Sequence, residues 1–378
     1  MNKKIQLGGF FIMSNKSYKN KFLTIVLSCF AIALVFVGFN MRSNANTVSN
    51  NNLKLPTSTT NPTTKFITLN DKSAVFGLRK YPKVSTTSNV ATRLKYGTKV
   101  TAYSESIINE NITWIKVKYG SYTGWVNKKC LTDIIIDERA NYWRYTSDES
   151  HVVIRKSRKF DSDIYIADIK INSALQFKHV YANGAPDGSR KTVVDMTKKY
   201  NPIIAINASG FDIKGDNHPR GTVGSKGQVD YFSTERASVL MGYDGMLNVV
   251  KAKKESDYKS YKPFWIASFG PNLINNNKML QTAEKNKSID PAPRVGIGQK
   301  DKPNEFVIIV VDGRSQKSDG INYYELATLF QEKGVRVAYN LDGGGSATLT
   351  FNNKIINKPS DAAGPRKVID SLFIRDIR

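Results

Sequence analysis

The sequence predicts an α+β chain: a large mixed-sheet domain, a small all-β barrel ahead of it, and an apolar helix near the N-terminus. Three observations carry that expectation. Short runs rich in Val, Ile, Phe and Tyr, punctuated by Gly, Asn and Ser, recur from residue 71 onward. Only two stretches, 191–199 and 322–333, have helical spacing. Eighteen uncharged residues, Phe22–Phe39, follow five lysines. A chain of 378 residues is long enough for two or three domains with a sizeable core.

Residues 1–21 contain Lys3, Lys4, Lys16, Lys19 and Lys21 and no acid. They are expected to stay cytoplasmic, which places everything after residue 40 outside the cell. The 22–39 run is just long enough to cross a bilayer and longer than most signal-peptide cores. Ser43-Asn44-Ala45 has small residues at the spacing a signal peptidase reads, so both a cleaved signal and an uncleaved membrane anchor fit. Residues 40–70, rich in Asn, Thr, Ser and Pro, are expected to be a flexible linker.

Charge is lopsided, with 56 Lys+Arg against 32 Asp+Glu and a formal net charge of +24. Residues 1–70 have eight basic side chains and no acidic one, and residues 71–133 have eleven against four. That balance suits polyanionic surroundings such as anionic lipid or wall polymer. Nucleic acid is not expected as a partner, because no zinc-ligand cluster, helix-turn-helix signature or aromatic-basic RNA motif is present. Two cysteines, Cys29 and Cys130, make neither a disulfide framework nor a thiolate metal site, and three histidines do not suit a multi-histidine one. No cofactor is required by these residues, although carboxylates leave room for a divalent cation.

Residues 71–133 contain the short β-rich runs VFGLRKYP, TKVTAYSES, TWIKVKYG and YTGWVN, with Gly120-Ser121 placed for a tight hairpin. This is a small antiparallel barrel by pattern. It resembles the bacterial SH3-like domain through LRKYPKVSTTSNVATRLKYGTKV followed by WIKVKYGSYTGWVNKKCL. The resemblance implies a module that binds cell-wall glycan or anionic polymer.

The remaining chain, 137–378, reads as one domain. Strand runs are expected at 151–154, 164–171, 175–181, 202–206, 238–241, 264–268, 295–298 and 306–311. The 322–333 helix opens on Asn322 with Glu325 three residues on and closes at Gly334. The strand before it, 306–311, and the one after it, 335–339, make a parallel crossover unit, so both strand ends face one edge of a sheet. Asp312-Gly313-Arg314 and Asn340-Leu341-Asp342-Gly343-Gly344-Gly345 are brought to that edge, where ligands bind in open α/β sheets. Asn207-Ala208-Ser209-Gly210-Phe211-Asp212 leaves a third strand.

These exits, in order, also carry a family resemblance. NASGFD (207–212), PRGTVGSKGQV (219–229), FGPNLINNNKML (269–280), PRVGIG (293–298), VVDGRS (310–315) and YNLDGGGSATL (339–349) resemble the motifs of the phosphodiester glycosidases, with Asn357-Lys358-Pro359-Ser360 just after. The chain departs at Ala208 and Ser209, where the family has two glycines, and at Asp212, in or beside a position often aromatic. The resemblance implies hydrolysis of a sugar joined through its anomeric carbon to a phosphodiester. The residue types suit that chemistry. Carboxylates stabilise oxocarbenium character, which assigns Asp342 and Asp312 as catalytic. Guanidinium groups match phosphate oxygens, which assigns Arg314, with Arg294 and Arg220 as further binding groups. Asn207 and Asn340 are expected to hold sugar hydroxyls, and Gly343, Gly344 and Gly345 to present backbone N–H groups. Asp212, His218 and Ser346 complete the expected binding surface. Ser346 lacks a nucleophile elbow and is not expected to attack.

The same residues have plainer readings. Three glycines can serve a tight turn, strand-exit aspartates can cap turns, and Arg294 can pair with an acid. A non-catalytic wall-polymer binder and a phosphodiesterase that breaks P–O are the rival functions.

Overall fold

The computed structural model describes residues 61–84, 87–285 and 289–377. The expected apolar helix 22–39, the basic segment before it and residues 40–60 of the expected linker lie outside the described residues. Among the described residues no helix is long and apolar enough to cross a membrane.

The barrel is a seven-stranded antiparallel sheet around Leu78, Leu94, Val100, Val117 and Val126. Tyr119 pairs with Tyr122 across the expected hairpin, and Gly120 supplies the positive φ of +57° that the two-residue turn needs. The barrel begins earlier than the composition suggested. Thr63–Ile67 is its first strand, pairing with Lys99–Asn109 and with Leu131–Thr132. Five residues flanked by Thr and Asn are too short a signal to stand out from a polar tract, yet Phe66 and Ile67 close the core.

In the large domain, a nine-stranded sheet runs in the order Ile135–Arg139, Tyr142–Thr146, Ser150–Lys159, Ser162–Ile171, Glu305–Val311, Arg294–Gln299, Val337–Leu341, Asn272–Asn275 and Lys278–Met279. Its middle is covered on both faces, which is why FVIIVV reads as a continuous apolar run. Phe306, Ile308 and Val310 pack with Ile204, Ile206, Leu349 and Leu372 on one side. Val307, Ile309 and Val311 pack with Leu326 and Phe330 of the helix Tyr323–Glu332 on the other. A five-stranded sheet, Phe177–Tyr181, Asp370–Ile374, Ile204–Asn207, Leu349–Phe351 and Lys354–Ile355, closes the first of these faces. A further five-stranded sheet spans residues 223–268.

The crossover helix is capped as its sequence predicts: Glu325 N donates to Asn322 Oδ1 and Asn322 N to Glu325 Oε2, each at 2.9 Å, and Gly334 has φ +64°. The other stretch expected to be helical forms the short helix Val193–Thr197 and the 3₁₀ turn Lys198–Tyr200.

The expectation of a mixed sheet is corrected. Glu305–Val311 and Val337–Leu341 are parallel in direction but not neighbours, because Arg294–Gln299 lies between them and is antiparallel to both. The other ladders of the nine-stranded sheet are antiparallel as well. A crossover helix fixes the relative direction of its two strands, not their adjacency, so an earlier segment can insert between them. The shared edge survives. Arg294 stands opposite Val311 and Val295 opposite Leu341, so Asp312 and Asp342 leave the sheet at the same end.

A candidate active site at the glycine turn

Asp342 follows the last residue of Val337–Leu341. Its N–H donates to Ala208 O at 2.9 Å, and its carbonyl accepts from Asn207 Nδ2 at 2.7 Å. Asn207 Oδ1 in turn accepts from Thr348 N at 3.0 Å. The buried Asn207 amide therefore staples the glycine turn to the end of Ile204–Asn207, and both ends of that amide are committed to backbone. The Asp342 carboxylate is half-buried and accepts from Gly343 N at 3.0 Å. Burial pushes its pKa up to about 6, with Asp370 adding to the rise, while the Ser346 hydroxyl, Gly343 N–H and Arg366 oppose it. Ser346 Oγ is buried and has no regular hydrogen-bond partner among the described residues.

Each glycine of the turn has a different close neighbour. A β-carbon on Gly343 would lie 2.6 Å from Pro293 O, one on Gly344 would lie 3.1 Å from Arg314 Nη1, and one on Gly345 would collide with Asp361 Oδ1 and Arg366 Nη2. Gly344 also has φ +57°. The expected row of free N–H donors is only partly there. Gly343 N is used by Asp342, and Gly344 N donates to Pro293 O at 2.8 Å. The glycines serve close approach more than anion binding. Replacing Gly345 by Ala is expected to cost about 2 kcal/mol or more of stability, measured by urea denaturation; an unchanged midpoint would show that the Asp361 and Arg366 side chains can move aside freely.

Arg314, exposed and with φ +57°, lays its guanidinium against Gly344 and forms no ion pair among the described residues. Asp312 is 4% exposed, and its Oδ1 accepts from Asn357 Nδ2 at 3.0 Å and from Lys358 N at 2.9 Å. Burial pushes its pKa up against those two donors. Arg294 is buried on the helix side of the sheet. Its Nε donates to Ile321 O at 2.9 Å and its guanidinium lies 4.2 Å over the Tyr323 ring, so it anchors the start of the helix. Asn340 is buried, with Nδ2 donating to Gly270 O at 2.7 Å and Oδ1 without a partner among the described residues.

Asp212, His218 and Arg220 make their contacts away from the glycine turn. Arg220 Nη2 donates to Asp212 Oδ1 at 3.1 Å, which holds the Asp212 carboxyl below the usual range, and the His218 ring stacks on Tyr231. No contact among the described residues joins these three to Asp342.

Sequence reading missed Asp370 and His179. Asp370 is fully buried, accepts from Ser209 N at 2.7 Å and meets His179 Nε2 at 2.9 Å. A single acid opening the apolar run DSLFI was the available signal. It also left Asp361 and Arg366 unassigned and named Asn357 only beside the family motifs. Cavities of about 370 Å³ and 360 Å³ lie elsewhere, beside Tyr181 and Tyr200 and on the barrel between Arg79 and Arg93. Among the described residues no group of three His, Cys, Asp or Glu is placed to hold a metal ion.

Residues 200–375 match the model of the phosphodiester glycosidase family, and residues 78–132 match that of the bacterial SH3 domain. Human N-acetylglucosamine-1-phosphodiester alpha-N-acetylglucosaminidase is 40% identical over 198 residues, which are 47% of this chain and 38% of that protein. The SPbeta prophage-derived uncharacterized protein YomE of Bacillus subtilis (strain 168) is 33% identical over 195 residues, 49% of this chain and 30% of that protein. The chain thus spans about a third of the length of these curated relatives. The zebrafish N-acetylglucosamine-1-phosphodiester alpha-N-acetylglucosaminidase catalytic domain, auto-inhibited by its pro-peptide, shares the fold with a TM-score of 0.51 at 21% identity, over 60% of this chain and 83% of that one.

Proposed function

We propose that the chain is an extracytoplasmic hydrolase that cleaves the bond between a sugar's anomeric carbon and a phosphodiester oxygen in a wall polymer or exopolysaccharide. The observation that carries this reading is the half-buried Asp342 carboxylate on a glycine turn that also holds the Arg314 guanidinium, which forms no ion pair among the described residues. Cleavage sends the C–O electron pair onto the phosphate oxygen and leaves oxocarbenium character at the anomeric carbon, which ionised Asp342 stabilises. A phosphate monoester departs without a strong acid, and its growing charge meets Arg314. Water then supplies oxygen to the anomeric carbon and gives its proton to solvent. Asp312 and Asn207 hold the turn and its neighbour in place. The barrel retains the enzyme on wall material, and residues 22–39 export or tether it.

The assay is hydrolysis of an N-acetylglucosamine 1-phosphodiester in oxygen-18 water. Free sugar carrying the label is expected. Label in the phosphate makes the protein a phosphodiesterase, and binding without turnover makes it a wall-polymer binder. Because Asp342 works ionised, kcat/KM is expected to rise with pH through about 6 and level off above it. A limb that instead falls through that pH would recast Asp342 as a proton donor.

A further inference from the structure

We propose that Arg366 is a second phosphate-binding guanidinium, set across the glycine turn from Arg314 and positioned by Asp361. This deepens the reading of the site as one for a sugar-1-phosphodiester and rests on it. Two adjacent glycines each carry an arginine: Arg314 Nη1 and Nη2 would lie 3.1 and 3.2 Å from a β-carbon on Gly344, and Arg366 Nη2 overlaps the place of one on Gly345. The turn is bare where the two guanidinium groups meet it.

Arg366 is fixed in orientation. Its Nε donates to Asp361 Oδ2 at 2.7 Å and its Nη2 to Asp361 Oδ1 at 2.9 Å, a paired contact that sets the plane of the guanidinium. That contact occupies one edge. Nη1 has no hydrogen-bond partner among the described residues, so donors remain for an anion. The group is half-buried, where a charge-assisted bond is less screened than on the open surface. Arg366 is also near enough to Asp342 to favour its ionised form. A cation there serves both charges of the reaction, the working carboxylate and the phosphate that gains a negative charge as the C–O pair leaves with it. Neither arginine gives up a proton.

The placement explains the segment that carries it. Residues 357–366 are tied down by Asp312, which accepts from Asn357 Nδ2 and Lys358 N, and the segment then returns over Gly345 through the Asp361–Arg366 pair. A purely structural staple would need the pair but not the free Nη1 edge.

The test measures calorimetric binding of N-acetylglucosamine 1-phosphate and of N-acetylglucosamine to the full chain, alongside KM for the phosphodiester. Arg366→Ala is expected to weaken binding of the 1-phosphate roughly 10- to 100-fold, raise KM comparably and leave N-acetylglucosamine binding unchanged. Arg366→Lys keeps charge without the fork and is expected to fall between. Asp361→Asn keeps the arginine and is expected to lose less than about fivefold. Equal losses in Arg366→Ala and Asp361→Asn, for both ligands, would show a staple and overturn the proposal. So would a wild type that binds the 1-phosphate no more tightly than the sugar. Phosphate preference without turnover defeats the hydrolase reading alone and leaves Arg366 in its assigned role. Should Arg366→Ala not fold, the Lys and Asn variants decide by the same comparison.

Discussion

Asp342→Asn is expected to abolish turnover and at the same time to raise the melting temperature at neutral pH. The turnover loss is expected to be about a thousandfold or more, the range for removing a working carboxylate. The gain in stability follows from proton linkage. Burial raises the Asp342 pKa from an ordinary 3.8 to about 6, so between those values the folded chain holds a proton that the unfolded chain has released. The contribution of this one group to stability is therefore greatest below pH 4, falls as pH rises through 6, and stays lower above it. The shift corresponds to at most about 3 kcal/mol, and partial solvation of a half-buried carboxylate reduces it to roughly 1–2 kcal/mol. Asparagine keeps an oxygen for Gly343 N and carries no charge. At pH 7 the variant should melt a few degrees higher, about 2–4 °C per kcal/mol, and below pH 4 the difference should vanish. Retained turnover would remove Asp342 from the chemistry, and a lower melting temperature at pH 7 would remove the claim that its charge is costly.

The second large effect is expected at Asp312. Asp312→Ala takes the acceptor from the buried Asn357 Nδ2 and from the part-buried Lys358 N. Leaving two such donors unpaired costs about 2–4 kcal/mol, and activity should fall as the 357–366 segment loosens over the glycine turn. Asp312→Asn keeps one acceptor oxygen and should cost much less. A double-mutant cycle with Asn357→Ala should show coupling of about 1 kcal/mol or more. If Asp312→Asn is as inactive as Asp342→Asn while equally stable to urea, Asp312 acts in the reaction itself and not through the segment it holds.

The elements that were legible in the sequence are those with a strong local signal. The helix Tyr323–Glu332 carries its own cap, and Glu305–Val311 is continuously apolar because it is covered on both faces. The Gly120-Ser121 hairpin is written in its glycine. Thr63–Ile67 and Asp370–Ile374 were not legible. The first is short and set in a polar tract; the second becomes a strand only by lying between Phe177–Tyr181 and Ile204–Asn207. The insertion of Arg294–Gln299 into the crossover was hidden for the same reason, since adjacency in a sheet is a property of the whole chain.

For the site, the sequence by itself determined that Asp312, Arg314, Asp342 and three glycines reach one edge, because a helix joining two strands forces their ends to the same side. Only the tertiary structure decided what each of them contacts. It turned Arg294 and Asn340 toward the helix side, committed Asn207 to the backbone, buried Asp312 against a loop, and laid Arg366 on Gly345. Strand periodicity says which side a residue takes, but its partners come from segments tens of residues away, and burial by those segments sets its charge.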